Sequence, residues 1–113
     1  MFDNSVGSGL VPIKMCSAIV EFDQFTPDWT LAQESVPEEP RTFVSNVMFD
    51  MPFSNTPIVH VGLSGFDMDQ RDSARISVGA EAITSTGFDM RIKTWQNTRV
   101  YKVEVSWIAL GQA

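Results

Sequence analysis

Paired cysteines are missing: Cys16 stands alone, which excludes an intrachain disulfide and every metal site built on cysteine pairs. Histidine is equally scarce. His60 is the one copy, so a histidine-rich metal cluster is excluded and any imidazole-based nucleophile chemistry would have to pass through that residue. Cations are few as well: Lys plus Arg number 8 against 14 Asp plus Glu, a net charge of −6. That balance withholds the cationic footprint that phosphate contacts need, so nucleic acid is not expected as a partner, and anionic membrane surfaces are disfavoured for the same reason. No apolar run reaches the roughly 18–20 residues of a membrane helix, so no membrane insertion is expected. Met1 to Met15 carries Asp3 and has Lys14 only near its end; without a basic start and an apolar core it does not read as a signal peptide. Action outside a cell would then require a leader already removed or another export route.

What is present is the size and composition of one globular domain: 113 residues, 43% apolar and 19% charged. From about Phe43 onward apolar residues recur at every second position, the signature of strands with one buried face. Val47, Phe49, Met51 and Phe53 form one such run, and Val59, Val61 and Leu63 a second. Ile76, Val78, Ala80 and Ala82 form a third, Phe88, Met90 and Ile92 a fourth, and Tyr101, Val103, Val105, Trp107 and Ala109 the cleanest. Cys16 to Phe22 is a sixth candidate whose apolar residues on both faces suggest burial on both sides. Turn signals separate the runs at 54–57, 67–73, 84–87 and 96–98, and 22–41, with Pro27, Pro37 and Pro40, reads as a long irregular connection. Six short antiparallel strands predict an all-β fold, a small six-stranded β-sandwich over 14–113, preceded by a flexible arm over 1–13.

Catalytic chemistry finds little support. His60 sits mid-strand between Val59 and Val61, Ser64 and Ser73 lack the turn a nucleophile needs, and nothing nominates a carboxylate pair for glycoside cleavage. Asp67, Asp69 and Asp72 only loosely suggest a calcium loop, because the glycine and terminal glutamate of the hand motif are missing; a solvated turn explains them without metal. Cys16 reads as a small buried hydrophobe, with an intermolecular bridge the lesser reading, and Trp107 reads as core from its phase with Val103 and Val105. Trp29, in the irregular segment, is placed to plug one end of the sandwich. The polar turn from Thr94 to Tyr101 stands out. Trp95 leaves the alternating run among amides and hydroxyls, a composition suited to a sugar, whose C–H face lies on a ring while polar groups read its hydroxyls. A core or interface tryptophan is the plainer alternative there.

At these residues the chain resembles the H-type lectin domain of snail agglutinins and discoidins. The matching pieces are 57–69 (P-I-V-H-V-G-L-S-G-F-D-M-D), 75–78 (R-I-S-V), 86–88 (T-G-F), 94–101 (T-W-Q-N-T-R-V-Y) and 105–111 (V-S-W-I-A-L-G), with 46–49 (N-V-M-F) upstream. The resemblance implies a six-stranded sandwich that assembles as a homotrimer, or a dimer of trimers, and binds glycans ending in N-acetylgalactosamine or galactose at clefts between protomers. It places the arginine that reads sugar hydroxyls at Arg75, the tryptophan beside the sugar at Trp95 and the tyrosine completing that wall at Tyr101. Gln96 stands where the family often has histidine, and Glu38 or Glu39 falls where an acidic residue accepts from a sugar hydroxyl. Each also has a plain structural role: Arg75 pairing with Asp72 or Glu81, Tyr101 packing across strands, Gln96 as a turn residue, Glu38 and Glu39 as solvated loop charges.

The resulting expectation is a non-enzymatic, cofactor-free lectin acting at a cell or particle surface. The alternative is a trimerisation or attachment module, of the adhesin or tail-fibre kind, with altered or lost sugar binding.

Overall fold

Alternation becomes strand here because each run has exactly one face that can be buried against a second sheet. The structure, a computed structural model, describes residues 11–33 and 39–113. Six strands follow one another: β1 (Ile13–Asp23), β2 (Arg41–Met48), β3 (Ile58–Met68), β4 (Ser77–Glu81), β5 (Gly87–Thr94) and β6 (Val100–Gln112). They form two three-stranded antiparallel sheets, ordered β1-β6-β3 and β2-β5-β4. The all-β sandwich expected from the sequence is the fold. Residues 1–10 of the arm expected over 1–13 lie outside the described residues; Ile13 already pairs with Gln112.

The two central strands face each other. Val103, Val105, Trp107 and Ala109 of β6 and Phe88, Met90 and Ile92 of β5 are all buried. Phe88 meets Trp107 edge-on at 5.3 Å between ring centroids, and Trp107 is core, as its phase predicts. Phe43 closes the opposite end against Phe22 and Trp29. The Trp29 indole donates to Val100 O at 2.9 Å, so this residue does plug one end of the sandwich.

Two expectations change in detail. The alternation through Phe49, Met51 and Phe53 is not strand, because β2 stops at Met48. Phe49 and Phe53 still enter the core, their amides bonded to Thr86 O and Ser85 O, while Met51 is 68% exposed. Pro52 has no N–H to continue a ladder there. In β1, Cys16, Val20 and Phe22 pack against the core, but Met15 and Ile19 on the other face are exposed. Burial on both sides is therefore not met within one chain, and Cys16 is only half-buried.

Antiparallel register fixes where the connections lie. Asp23 pairs with Lys102, Arg41 with Thr94, Ser77 with Lys93 and Met68 with Val100. The β1–β2, β3–β4 and β5–β6 connections therefore share one end of the sandwich, and each crosses from one sheet to the other.

At the far end, Gly87 lies so close to β2 that an added Cβ would sit 2.2 Å from Val47 O. Gly87→Ala should therefore destabilise by about 2–3 kcal/mol through backbone displacement. Gly79→Ala, meeting only the end of the Arg91 side chain at 3.4 Å, should stay within about 1 kcal/mol. Thermal and urea unfolding of the two variants check the contrast.

Candidate functional site

The three crossovers bring distant segments together at one end. β5 ends at Thr94, and residues 95–99 carry the chain across to β6. The turn is held from both flanks. Thr94 and Thr98, both fully buried, reach the same segment: the Thr94 hydroxyl donates to Arg75 O, and the Thr98 hydroxyl donates to Ser73 O at 2.6 Å. Between them Gln96 adopts φ 57°, the left-handed region, where a non-glycine residue costs about 1–2 kcal/mol. The Thr98 amide closes the turn on Trp95 O.

Arg75 is fastened to this turn. Its Nη1 donates to Thr98 Oγ1 at 3.1 Å and more weakly to Ser73 O at 3.4 Å. It pairs with neither Asp72 nor Glu81; Glu81 faces Arg91 instead. Nε and Nη2 of Arg75 have no acceptor among the described residues, leaving directed donors beside the turn. Trp95 is half-buried, and Lys93 Nζ lies 5.9 Å from its ring centroid. Gln96 is half-buried beside it. Glu39 is exposed two residues before β2, at this same end, while Glu38 lies outside the described residues.

Tyr101, at the start of β6, is tied into a second cluster. Its hydroxyl donates to Asp69 Oδ2 at 3.0 Å. Asp69 is buried at the end of β3 and also takes Arg71 across both carboxylate oxygens, with Arg99 Nη2 at 3.6 Å. The Arg71 side-chain and backbone donors hold this carboxyl well below the usual range, the Tyr101 hydroxyl assisting and burial opposing. Asp69 in turn pushes the Arg71 guanidinium up. The Tyr101 hydroxyl is thus fixed against Asp69 and beside Arg71. Because Asp69 is already saturated by side-chain donors, the 67–72 stretch serves as a braced corner. No group of three or more His, Cys, Asp or Glu among the described residues is arranged to hold a metal ion. His60 stands exposed on the outer face opposite Ile108, away from this end.

Several residues central to this end escaped the sequence reading. Arg41 is buried behind the turn, donating to carbonyls on both sides of it; burial, and then the nearby Arg99, lower its pKa from the ordinary arginine value. In sequence it was only the residue ending an irregular connection. Asp69 and Arg71 were legible only as turn charges. Thr94 and Thr98 did leave a signal, two hydroxyl residues flanking Trp95 at a four-residue spacing.

A carboxylate with a depressed folded-state pKa favours the folded chain above its unfolded value of about 3.9, and that contribution is lost as pH falls toward the folded value. Stability should therefore decline below about pH 4. In Asp69→Asn this acid-side decline should be shallower and stability at neutral pH lower, as read by thermal unfolding across pH.

Comparison with known proteins agrees with this fold. The family model described as H-type lectin domain matches residues 44–110. A protein named "ATP synthase subunits region ORF 7" from Fuscovulum blasticum is 46% identical over 72 residues, which are 64% of this chain and 63% of that protein. Discoidin-2 of Dictyostelium discoideum is 34% identical over 71 residues, 62% of this chain and 28% of that protein. The solved structure of recombinant discoidin II from Dictyostelium discoideum superposes with a TM-score of 0.74 at 27% identity, covering 89% of this chain and 38% of the other. The chain thus spans less than two thirds of each relative. Residues 44–110 hold β3, β4 and β5 whole, most of β2 and β6, and all of Arg75, Trp95, Gln96 and Tyr101, and by that match the chain belongs to the H-type lectin domain family, whose members bind carbohydrate.

Proposed function

We propose that this lectin binds a terminal N-acetylgalactosamine or galactose at the crossover end of the sandwich, in clefts between protomers of a homotrimer. The observation that carries the reading is the Arg75–Trp95 arrangement. A guanidinium with two nitrogens that have no acceptor among the described residues is fastened through Thr98 to the turn that carries a partly exposed indole, and Thr94 and Thr98 lock that turn. The indole offers the apolar sugar face a surface, and the planar fork of Arg75 reads adjacent hydroxyls. Tyr101, its proton committed to Asp69, accepts. Gln96 donates its amide toward a hydroxyl or acetamide oxygen, and Glu39 or Glu38 accepts from a sugar hydroxyl across the cleft.

Self-association is supported by the outer face of the β1-β6-β3 sheet. Ile13, Met15, Ile19, Ile58, Ile108 and Leu110 are exposed there, and cross-strand register sets Met15, Leu110 and Ile58 side by side. A patch of this kind is typical of an interface, and a second and third copy of this chain are the occupants proposed. One sugar offers few atoms, so single-site affinity is weak; three sites engaging a glycosylated surface together raise avidity without new contacts.

A glycan array run beside light scattering should give selective signal on terminal galactose-type sugars and a mass of three chains. Trp95→Ala should abolish binding and leave the mass unchanged. Loss of the trimer in that variant would make Trp95 an interface residue. A well-folded trimer silent across the array would favour an attachment module instead.

A further inference from the structure

Arg41 is nine-tenths buried, yet no carboxylate pairs with it among the described residues. Its guanidinium instead gathers four main-chain carbonyls. Nη1 donates to Leu31 O at 3.2 Å and Gln33 O at 2.7 Å, and Nη2 to Gln96 O at 2.8 Å and Thr98 O at 2.7 Å. Two of these acceptors belong to the chain entering the segment that carries Glu38 and Glu39. The other two flank the turn that presents Trp95 and Gln96. One planar group therefore bridges the first and third crossovers.

The bridge bears on conformation. Gln96 is held at φ 57°, and the carbonyl of this same residue is an Arg41 acceptor. Rotating Gln96 back to an ordinary backbone conformation would swing that carbonyl off Nη2 and redirect the side chains on the turn. Only a fork reaches both pairs of acceptors at once, because lysine carries its donors on a single nitrogen. Arg41 reaches Gln96 only through its main-chain carbonyl; it lies behind the turn, with both Nη atoms bonded to the main chain and Nε buried without a partner among the described residues.

We propose that Arg41 is the positioning residue of the sugar site, locking the aromatic turn to the first crossover at Leu31 and Gln33 so that the Trp95 side of the site is preorganised before a glycan arrives. This rests on the carbohydrate reading above. Preorganisation raises affinity by removing the ordering cost from the binding step, so loosening the bridge weakens binding without touching a contact.

The test compares Arg41→Lys with Phe53→Leu, which thins the core at the opposite end. For each, galactose and N-acetylgalactosamine affinity is measured by calorimetry well below the unfolding temperature, together with mass by light scattering. The Trp95 indole and Gln96–Thr98 amide resonances are followed in parallel. Arg41→Lys should weaken sugar binding at least tenfold, displace or broaden those resonances and leave the mass unchanged. Phe53→Leu should lower the unfolding temperature while keeping affinity within twofold and the same resonances in place. Unchanged affinity and unchanged resonances in Arg41→Lys would overturn the proposal, as would an equal affinity loss in Phe53→Leu at equal destabilisation. If the wild type binds neither sugar, the carbohydrate reading falls, while the turn resonances of Arg41→Lys still decide whether Arg41 holds the turn. In the wild type, where no variant has to fold, the Arg41 guanidinium and Gln96–Thr98 amide resonances should be single and sharp before sugar is added; exchange broadening in the free protein that sugar removes would count against the proposal.

Discussion

Everything at the crossover end depends on β5 and β6 being consecutive in the chain but central to different sheets. Their inward residues form the middle of the core, with Phe88, Met90 and Ile92 on one side and Val103, Val105 and Trp107 on the other. The few residues joining them must therefore cross the full thickness of the sandwich, about 10 Å. A short crossing leaves carbonyls turned toward the interior without ladder partners, and buried carbonyls left unpaired are costly. Satisfying those carbonyls is the problem that shapes the turn.

The solution uses polar groups placed behind the turn. Arg41 takes the Gln96 and Thr98 carbonyls, Thr94 and Thr98 hydroxyls grip the Arg75 and Ser73 carbonyls, and the Trp29 indole takes Val100 O. Each device also connects two crossovers, so bracing the backbone and assembling the site are one event. The second crossover is braced by a buried anion: Asp69, held by Arg71 and Tyr101 with Arg99 close by. A buried cation and a buried anion thus anchor neighbouring corners, each held by several hydrogen bonds, which offset much of the cost of burying charge. The turn is not a strand, but its ties to Arg41, Arg75 and Ser73 fix its backbone where a free loop would move.

The two outer faces divide the remaining work. The β1-β6-β3 face exposes isoleucine, methionine and leucine side chains at its apolar end and carries Glu21, Lys102 and Glu104 nearer the crossover end. The outer face of β2-β5-β4 carries Thr42, Asn46, Arg91 and Lys93 with only scattered apolar residues. This asymmetry is what a chain needs if one sheet meets copies of itself and the other stays in water. It also accounts for the doubly apolar pattern of β1, an edge strand whose outer face has no partner within the single chain.

The sequence by itself determined the strand count, the class of fold, the core position of Trp107 and the impossibility of an intrachain disulfide. Period-2 patterning is local and survives without knowledge of partners, and a lone cysteine needs no structure to interpret. The order of motifs around Arg75, Trp95 and Tyr101 likewise made the family legible. Only tertiary structure decided that three crossovers share one end, that Arg75 bonds Thr98 rather than Asp72 or Glu81, and that Arg41 and Asp69 are buried. Arg41 meets acceptors 8, 10, 55 and 57 residues away, and all of them are backbone carbonyls. Every residue has a carbonyl, so nothing in side-chain identity marks which ones an arginine will find; register and chain crossing place them.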